Sequence, residues 1–211
     1  MFDFVARHLD SVDGVVFDFG GVVAEAPGDD WPLYALMAKA GVSMEAVKRG
    51  NAMHRNDADG GWISFEEMYR RILAENGAVE PYEGFCAEAA AIDAEGWTHL
   101  VPATYELMRE LKALGKKLGL LSNMSIFFYD NYYLVKAAHV HAIIDVETIS
   151  AKLLMTKPGR EIYDACSKAM GIPPSRLLFL DDIPANVEAA RRYGWKSEVY
   201  DFRAADRADS R

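Results

Sequence analysis

The sequence has little cysteine, a shortage of positive charge and no long apolar run. Its two cysteines, Cys86 and Cys166, are far apart and outside any CxxC spacing. That excludes a disulfide framework and fits inert thiols in a reducing compartment, so a cytoplasmic protein is expected. Lys and Arg number 23 against 32 Asp and Glu, a formal net charge of −9. Such a balance argues against a surface that neutralises nucleic-acid phosphates or anionic lipid, and any anion must be bound locally. No stretch approaches the ~18 apolar residues needed to cross a bilayer, and Asp3 stands where a signal peptide would carry positive charge. Neither a membrane anchor nor an export signal is expected. Repeats at solenoid or propeller periods are missing, and the one polar tract is the short tail 203–211.

What remains is a chain of 211 residues, 51% hydrophobic and 26% charged, long enough for one sizeable core or a core with a small satellite. Val15-Val16-Phe17 reads as a buried strand that ends at Asp18-Phe19-Gly20-Gly21. Helical spacing then takes over at 31–40, 44–54, 65–76 and 82–92, the third with Ser64 and Glu67 as a capping box. From Pro102 the pattern alternates: helix 102–114, strand 118–121, helix 126–138, strand 142–145, helix 160–170, strand 177–180, helix 185–193 and strand 197–200. Alternation of this kind implies an α/β fold, a Rossmann-like parallel sheet with helices on both faces. The helical block interrupts it as an insertion, giving a core of 1–26 with 97–211 and an all-helical unit of 27–96.

Ligands of such sheets bind beyond the carboxyl ends of the strands, where loops and helix N-termini converge. Three strands end there in chemistry-bearing residues. Asp18 precedes two glycines, Gly20 and Gly21, which let backbone N–H groups approach an anion; read alone, it is equally a carboxylate capping a turn. Asp181 and Asp182 are adjacent acids that call for a counter-charge such as Mg²⁺, or else form an acidic cap on the following helix. The Ser122 hydroxyl, followed by Asn123, can donate to a phosphoryl oxygen or serve as a helix cap. Lys157-Pro158 puts a lysine in the loop before helix 160–170.

In this order and topology the residues resemble the haloacid dehalogenase-like hydrolase superfamily, mostly phosphatases with a Rossmann-like core. The likeness runs from Val15 to Tyr200 and is carried by Val-Val-Phe-Asp18-Phe-Gly-Gly-Val22, Leu-Leu-Ser122-Asn123, Lys157-Pro158-Gly-Arg-Glu-Ile-Tyr163 and Phe-Leu-Asp181-Asp182-Ile-Pro-Ala-Asn186-Val-Glu-Ala-Ala190. The inserted helices resemble the cap of the first class, subfamily IA. Gly60-Gly61-Trp62-Ile63-Ser64-Phe65-Glu66-Glu67 and the Asp-Asp-x-x-x-Asn ending are similar to the branch with the phosphatase domain of soluble epoxide hydrolase and bacterial sugar-phosphate phosphatases. The resemblance implies that Asp18 is the nucleophile and forms an aspartyl-phosphate. It implies that Asp18, the Gly20 carbonyl and Asp182 hold Mg²⁺, with Asp181 acting through a water. Ser122 and Lys157 would grip the phosphoryl oxygens of a small phosphorylated metabolite such as a sugar phosphate. Gly20, Gly21, Asn123 and Arg55 are the candidate substrate contacts, with His54 and Trp62 as further cap residues; for Trp62 a core position is the plainer expectation.

Two positions depart from that family's phosphatase pattern. Gly20 stands where the pattern has a second Asp, whose acid–base role contributes about 10²–10⁴-fold. Leu154 stands where a glycine leads into Lys157, which implies a changed path for that loop. Two other readings follow: a metal-independent 2-haloacid dehalogenase, and a non-catalytic regulatory or binding protein on the same scaffold. Asp181-Asp182 is the feature that separates the phosphatase from the dehalogenase. Asp18-Phe19-Gly20 also spells a kinase metal motif, but no glycine-rich and catalytic loops accompany it.

Overall fold

The computed structural model describes residues 3–203, and most of the polar tail lies outside them. Five strands, β1 (Gly14–Phe17), β2 (Lys117–Ser122), β3 (Val146–Ile149), β4 (Leu177–Asp181) and β5 (Lys196–Val199), form one sheet in the order β3-β2-β1-β4-β5. All four pairings are parallel. The three central strands, β2, β1 and β4, are mainly apolar, as expected of strands covered on both faces, whereas the edge strands carry Glu147 and Thr148 in β3 and Lys196, Ser197 and Glu198 in β5.

Alternate residues of each strand serve opposite layers. Val15, Phe17, Leu118, Leu120, Leu178 and Leu180 pack with Leu107, Met108 and Leu111 of helix Pro102–Ala113 on one face. Val16, Leu121, Leu177 and Phe179 pack with Ile162, Tyr163 and Met170 of helix Arg160–Met170, and with Ala189 and Ala190 of helix Pro184–Arg192, on the other. A third apolar cluster draws its buried members only from Trp31–Ala90. It lies within the helices Pro32–Lys39, Met44–Asp59, Phe65–Glu75 and Phe85–Gly96, all inserted between β1 and β2. The chain enters and leaves this block on adjacent paths: Glu25 N–H donates to His99 O and Val101 N–H to Val23 O, each at 2.8 Å.

Three elements differ from the sequence expectation. The third strand is Val146–Ile149, not 142–145. Ile143 and Ile144 close a turn onto Val140 O, and Asp145 fixes the start of the strand by accepting from the Leu118 N–H at 2.8 Å. The helix expected at 126–138 is divided: Tyr129–Tyr133 forms a wide π-type turn whose two tyrosine hydroxyls both donate to Glu147. The helix expected at 44–54 continues to Asp59, because Gly50 lets it lie against Ile72 and nothing breaks it before Gly60.

Candidate active site

Strand order reverses between β1 and β4, and the carboxyl ends of these neighbours meet there. Phe17 lies level with Leu120 and Leu180, so Asp18, Ser122, Asp181 and Asp182 emerge together at one end of the sheet. Gly21, at φ +75°, lets the chain turn past Asp182; a Cβ there would sit 2.2 Å from Asp182 Oδ2. Lys157 reaches this cluster from the loop before helix Arg160–Met170. It is 2% exposed, with Nζ 2.8 Å from Asp18 Oδ1 and 2.7 Å from Asp181 Oδ2. Asn123 fixes the Lys157 backbone on both sides, its Oδ1 accepting from the Lys157 N–H (2.8 Å) and its Nδ2 donating to the Lys157 carbonyl (3.1 Å).

The carboxylates differ in how fully they are satisfied. Asp181 accepts from Lys157, from the Ile183 N–H (2.8 Å) and from Asn186 Nδ2 (3.1 Å to each oxygen), so its lone pairs are taken up internally. On Asp18 only Oδ1 is engaged, by Lys157 and by the Phe19 N–H at 2.7 Å, and among the described residues Oδ2 has no hydrogen bond. Burial pushes the Asp18 carboxyl up to about 7, the charges of Asp181 and Asp182 adding to that and Lys157 opposing it. Asp182 is raised to about 6 by burial and by Asp181. Burial works against the Lys157 ammonium, yet Asp18 and Asp181 hold its pKa above the ordinary value and it stays charged.

A cavity of about 270 Å³ opens over these groups, between the sheet and the inserted helices. The helical block supplies Arg55, Asn56, Asp59, Phe65 and Asp93, Trp97 follows directly on its last helix, and the core adds Phe127, Phe128 and Ile183. Trp97 covers Gly20: a Cβ on Gly20 would stand 2.8 Å from the Trp97 ring. Trp97 is in turn tied to the buried Asp93, which accepts from Trp97 Nε1 (3.2 Å), Tyr69 OH (2.5 Å) and Arg55. The Arg55 guanidinium lies over the Phe65 and Trp97 rings at 5.0 and 5.5 Å.

A sequence profile of the haloacid dehalogenase-like hydrolases matches residues 12–194. The chain belongs to that family. A phosphatase of Mycobacterium tuberculosis (strain CDC 1551 / Oshkosh), MT3486, is 25% identical over 195 residues, covering 90% of this chain and 88% of its own. The haloacid dehalogenase-like enzyme BT-2542 of Bacteroides thetaiotaomicron, solved with magnesium and inorganic phosphate, superposes with a TM-score of 0.67 at 17% identity over 90% of this chain and 94% of that one. L-2-haloacid dehalogenase of Xanthobacter autotrophicus superposes at 0.63, with 19% identity over 88% and 76%. At such identities the two structures establish a shared fold and nothing more.

Within this haloacid dehalogenase-like hydrolase, one carboxylate oxygen from each of Asp18, Asp181 and Asp182 falls within 4.8 Å of the others. Three carboxylates against the one ammonium of Lys157 leave an excess that a single divalent cation offsets, and an all-oxygen donor set suits a hard ion such as Mg²⁺. The residues present therefore fit the metal.

Of the nine candidate residues named from the sequence, seven line the cavity; Gly21 and Asp181 lie behind the lining, Gly21 beside Asp182 and Asp181 against Lys157. His54 and Trp62 do not join them. His54 Nε2 pairs with Glu75 Oε1 at 2.7 Å, and Trp62 is 51% exposed, outside both the cavity and the core. Leu154 keeps a left-handed conformation at φ +55°, so the loop retains the turn a glycine would favour. Sequence reasoning missed Asp59, Asp93 and Trp97. Ending two helices too early hid the acids, although a lone Asp in the run Ala89-Ala90-Ala91-Ile92-Asp93-Ala94 was a visible signal.

Proposed function

We propose that this hydrolase is a Mg²⁺-dependent phosphatase of a small phosphorylated metabolite, a sugar phosphate being the model class, acting through an aspartyl-phosphate on Asp18. The observation that carries this reading is the half-held Asp18 carboxylate, with Oδ1 fixed by Lys157 and Oδ2 without a hydrogen bond, inside a cluster of acids with the charge excess of one divalent cation. A carboxylate held on one oxygen attacks with the other, and a positioned nucleophile gains from lost rotational freedom.

Asp18, Asp182 and the Gly20 carbonyl would hold Mg²⁺; Asp181, its oxygens taken up by Lys157, Asn186 and Ile183, contributes charge and holds the lysine in place. When bound, the cation neutralises phosphoryl charge and so lets one anion approach another. Lys157 and Ser122 bind the phosphoryl oxygens, and Lys157 is kept cationic by its two carboxylates. Asn123 fixes the lysine through its backbone. The helical unit 27–96 acts as a cap, and its residues shape the space around the leaving group. Position 20 provides no proton, so protonation of the leaving oxygen falls to another group that lines the cavity.

A panel of phosphate esters and 2-haloacids, assayed with and without Mg²⁺, tests the reading. Phosphate release that requires Mg²⁺ and is lost in Asp18→Asn supports it. Halide release from a 2-haloacid without metal, with no ester hydrolysed, replaces it with the dehalogenase reading.

A further inference from the structure

We infer that Asp59, carried on the inserted helices, performs the proton transfers for which residue 20 has no side chain. The inference rests on the phosphatase reading above. Its starting point is the filled space at Gly20. Trp97 occupies the volume into which a side chain at position 20 would project, so the missing acid has not left a vacancy for water beside that Cα. The proton donor must come from elsewhere in the cavity.

The other carboxylates there are committed. Asp18 is the nucleophile, and Asp182 belongs to the cation. Asp181 is satisfied by Lys157, Asn186 and Ile183, and Asp93 by Arg55, Tyr69 and Trp97. Asp59 lines the same cavity, and among the described residues its carboxylate has neither a hydrogen bond nor an ion pair. Its backbone, by contrast, is fixed. The Ser150 hydroxyl donates to the Asp59 carbonyl at 2.5 Å while accepting from the Met124 N–H at 2.8 Å, which ties the end of helix Met44–Asp59 to the loop after β2. An acid in the last turn of a helix faces the negative end of the macrodipole and is there at a cost to stability. A fixed backbone carrying an unpartnered, unfavourably placed acid into the cavity that also holds Asp18 is the arrangement of a reacting group.

Four charged groups act on it: Arg55 and Asp93 from the inserted helices, Asp18 and Lys157 from the core. Burial pushes the Asp59 carboxyl up to about 7, the two cations pulling down and the two acids pushing up. Near neutral pH it can both give and take a proton.

The steps balance. Asp18 Oδ2 attacks phosphorus, the bond to the leaving oxygen breaks with its electron pair going to that oxygen, and protonated Asp59 supplies the proton that makes it an alcohol. The Asp59 carboxylate then takes a proton from water as the water oxygen attacks phosphorus. The bond to Asp18 breaks, its electron pair returns to the carboxylate, phosphate leaves, and Asp59 is protonated again.

The full chain with Mg²⁺ is assayed on 4-nitrophenyl phosphate, whose leaving group needs no proton, and on the best alkyl phosphate of the panel. Asp59→Asn is expected to lower kcat on the alkyl ester by about 10²-fold or more. On the nitrophenyl ester it should release one fast equivalent of nitrophenolate and then slow, with the phosphoenzyme accumulating as a one-phosphoryl shift in intact mass. Asp59→Glu should recover part of the alkyl activity. Wild-type rates on both esters in Asp59→Asn overturn the role, as do equal losses with no burst and a raised KM, which mark a binding residue. If the wild type hydrolyses no phosphate ester at all, the phosphatase reading itself fails and the role of Asp59 falls with it.

Discussion

Gly20 is where a single residue decides most. If the position were only short of an acid, restoring one would speed the enzyme; the Trp97 ring, 2.8 Å from where the Cβ would stand, gives the opposite sign. Gly20→Asp should lower the activity and cost about 1–3 kcal/mol of stability, the range for overpacking. Urea unfolding of Gly20→Asp alone and combined with Trp97→Ala checks this: the double variant should recover the overpacking loss, beyond what Trp97→Ala itself costs. A rise in activity on alkyl phosphates in Gly20→Asp alone would mean that the ring yields and that the site lacks only the acid. Leu154 is the converse case. There a bulky residue takes the left-handed backbone at φ +55°, a conformation that a glycine adopts without strain.

At the scale of elements, most of the candidate site was legible because it follows strands. Asp18, Ser122 and Asp181 sit at abrupt ends of short apolar runs, and a buried parallel strand has few other ways to look. The edge strand Val146–Ile149 was not legible, since half of it is Glu147 and Thr148, and Glu147 is made tolerable by Tyr129, Tyr133 and His141, partners that the sequence keeps apart. The wide turn at Tyr129–Tyr133 has the same cause, two hydroxyls reaching one carboxylate. The inserted-helix side of the cavity was read least well. Its helices run longer than their apolar spacing shows, and Asp59 lies on the last turn that the spacing omitted. Arg55 was read as a substrate contact; it lines the cavity, though its guanidinium is already paired with Asp93 and stacked on two rings.

For the whole molecule, the clustered acids make stability depend on pH and, with the metal site proposed, on the cation. Asp18 and Asp59 at about 7, and Asp182 at about 6, all stand above their ordinary 3.8. Between roughly pH 4 and 7 the folded chain therefore holds protons that the unfolded chain has released, and metal-free stability falls as pH rises through that window. Mg²⁺ held as proposed would bind the deprotonated acids, so its stabilising effect should grow over the same range. Thermal melts should show a larger Mg²⁺-induced rise in Tm at pH 8 than at pH 5, and Asp182→Ala should lose that rise. An equal rise at both pH values, or one that survives in Asp182→Ala, would put the cation somewhere else.

The central claim is that Asp18 becomes phosphorylated. The most direct measurement is acid quenching during turnover of a phosphate ester with Mg²⁺, followed by peptide mass analysis. One phosphoryl group on the peptide that contains Asp18, missing in Asp18→Asn, is the result expected of this site. Phosphate release with no phosphopeptide, and with activity retained in Asp18→Asn, would contradict it.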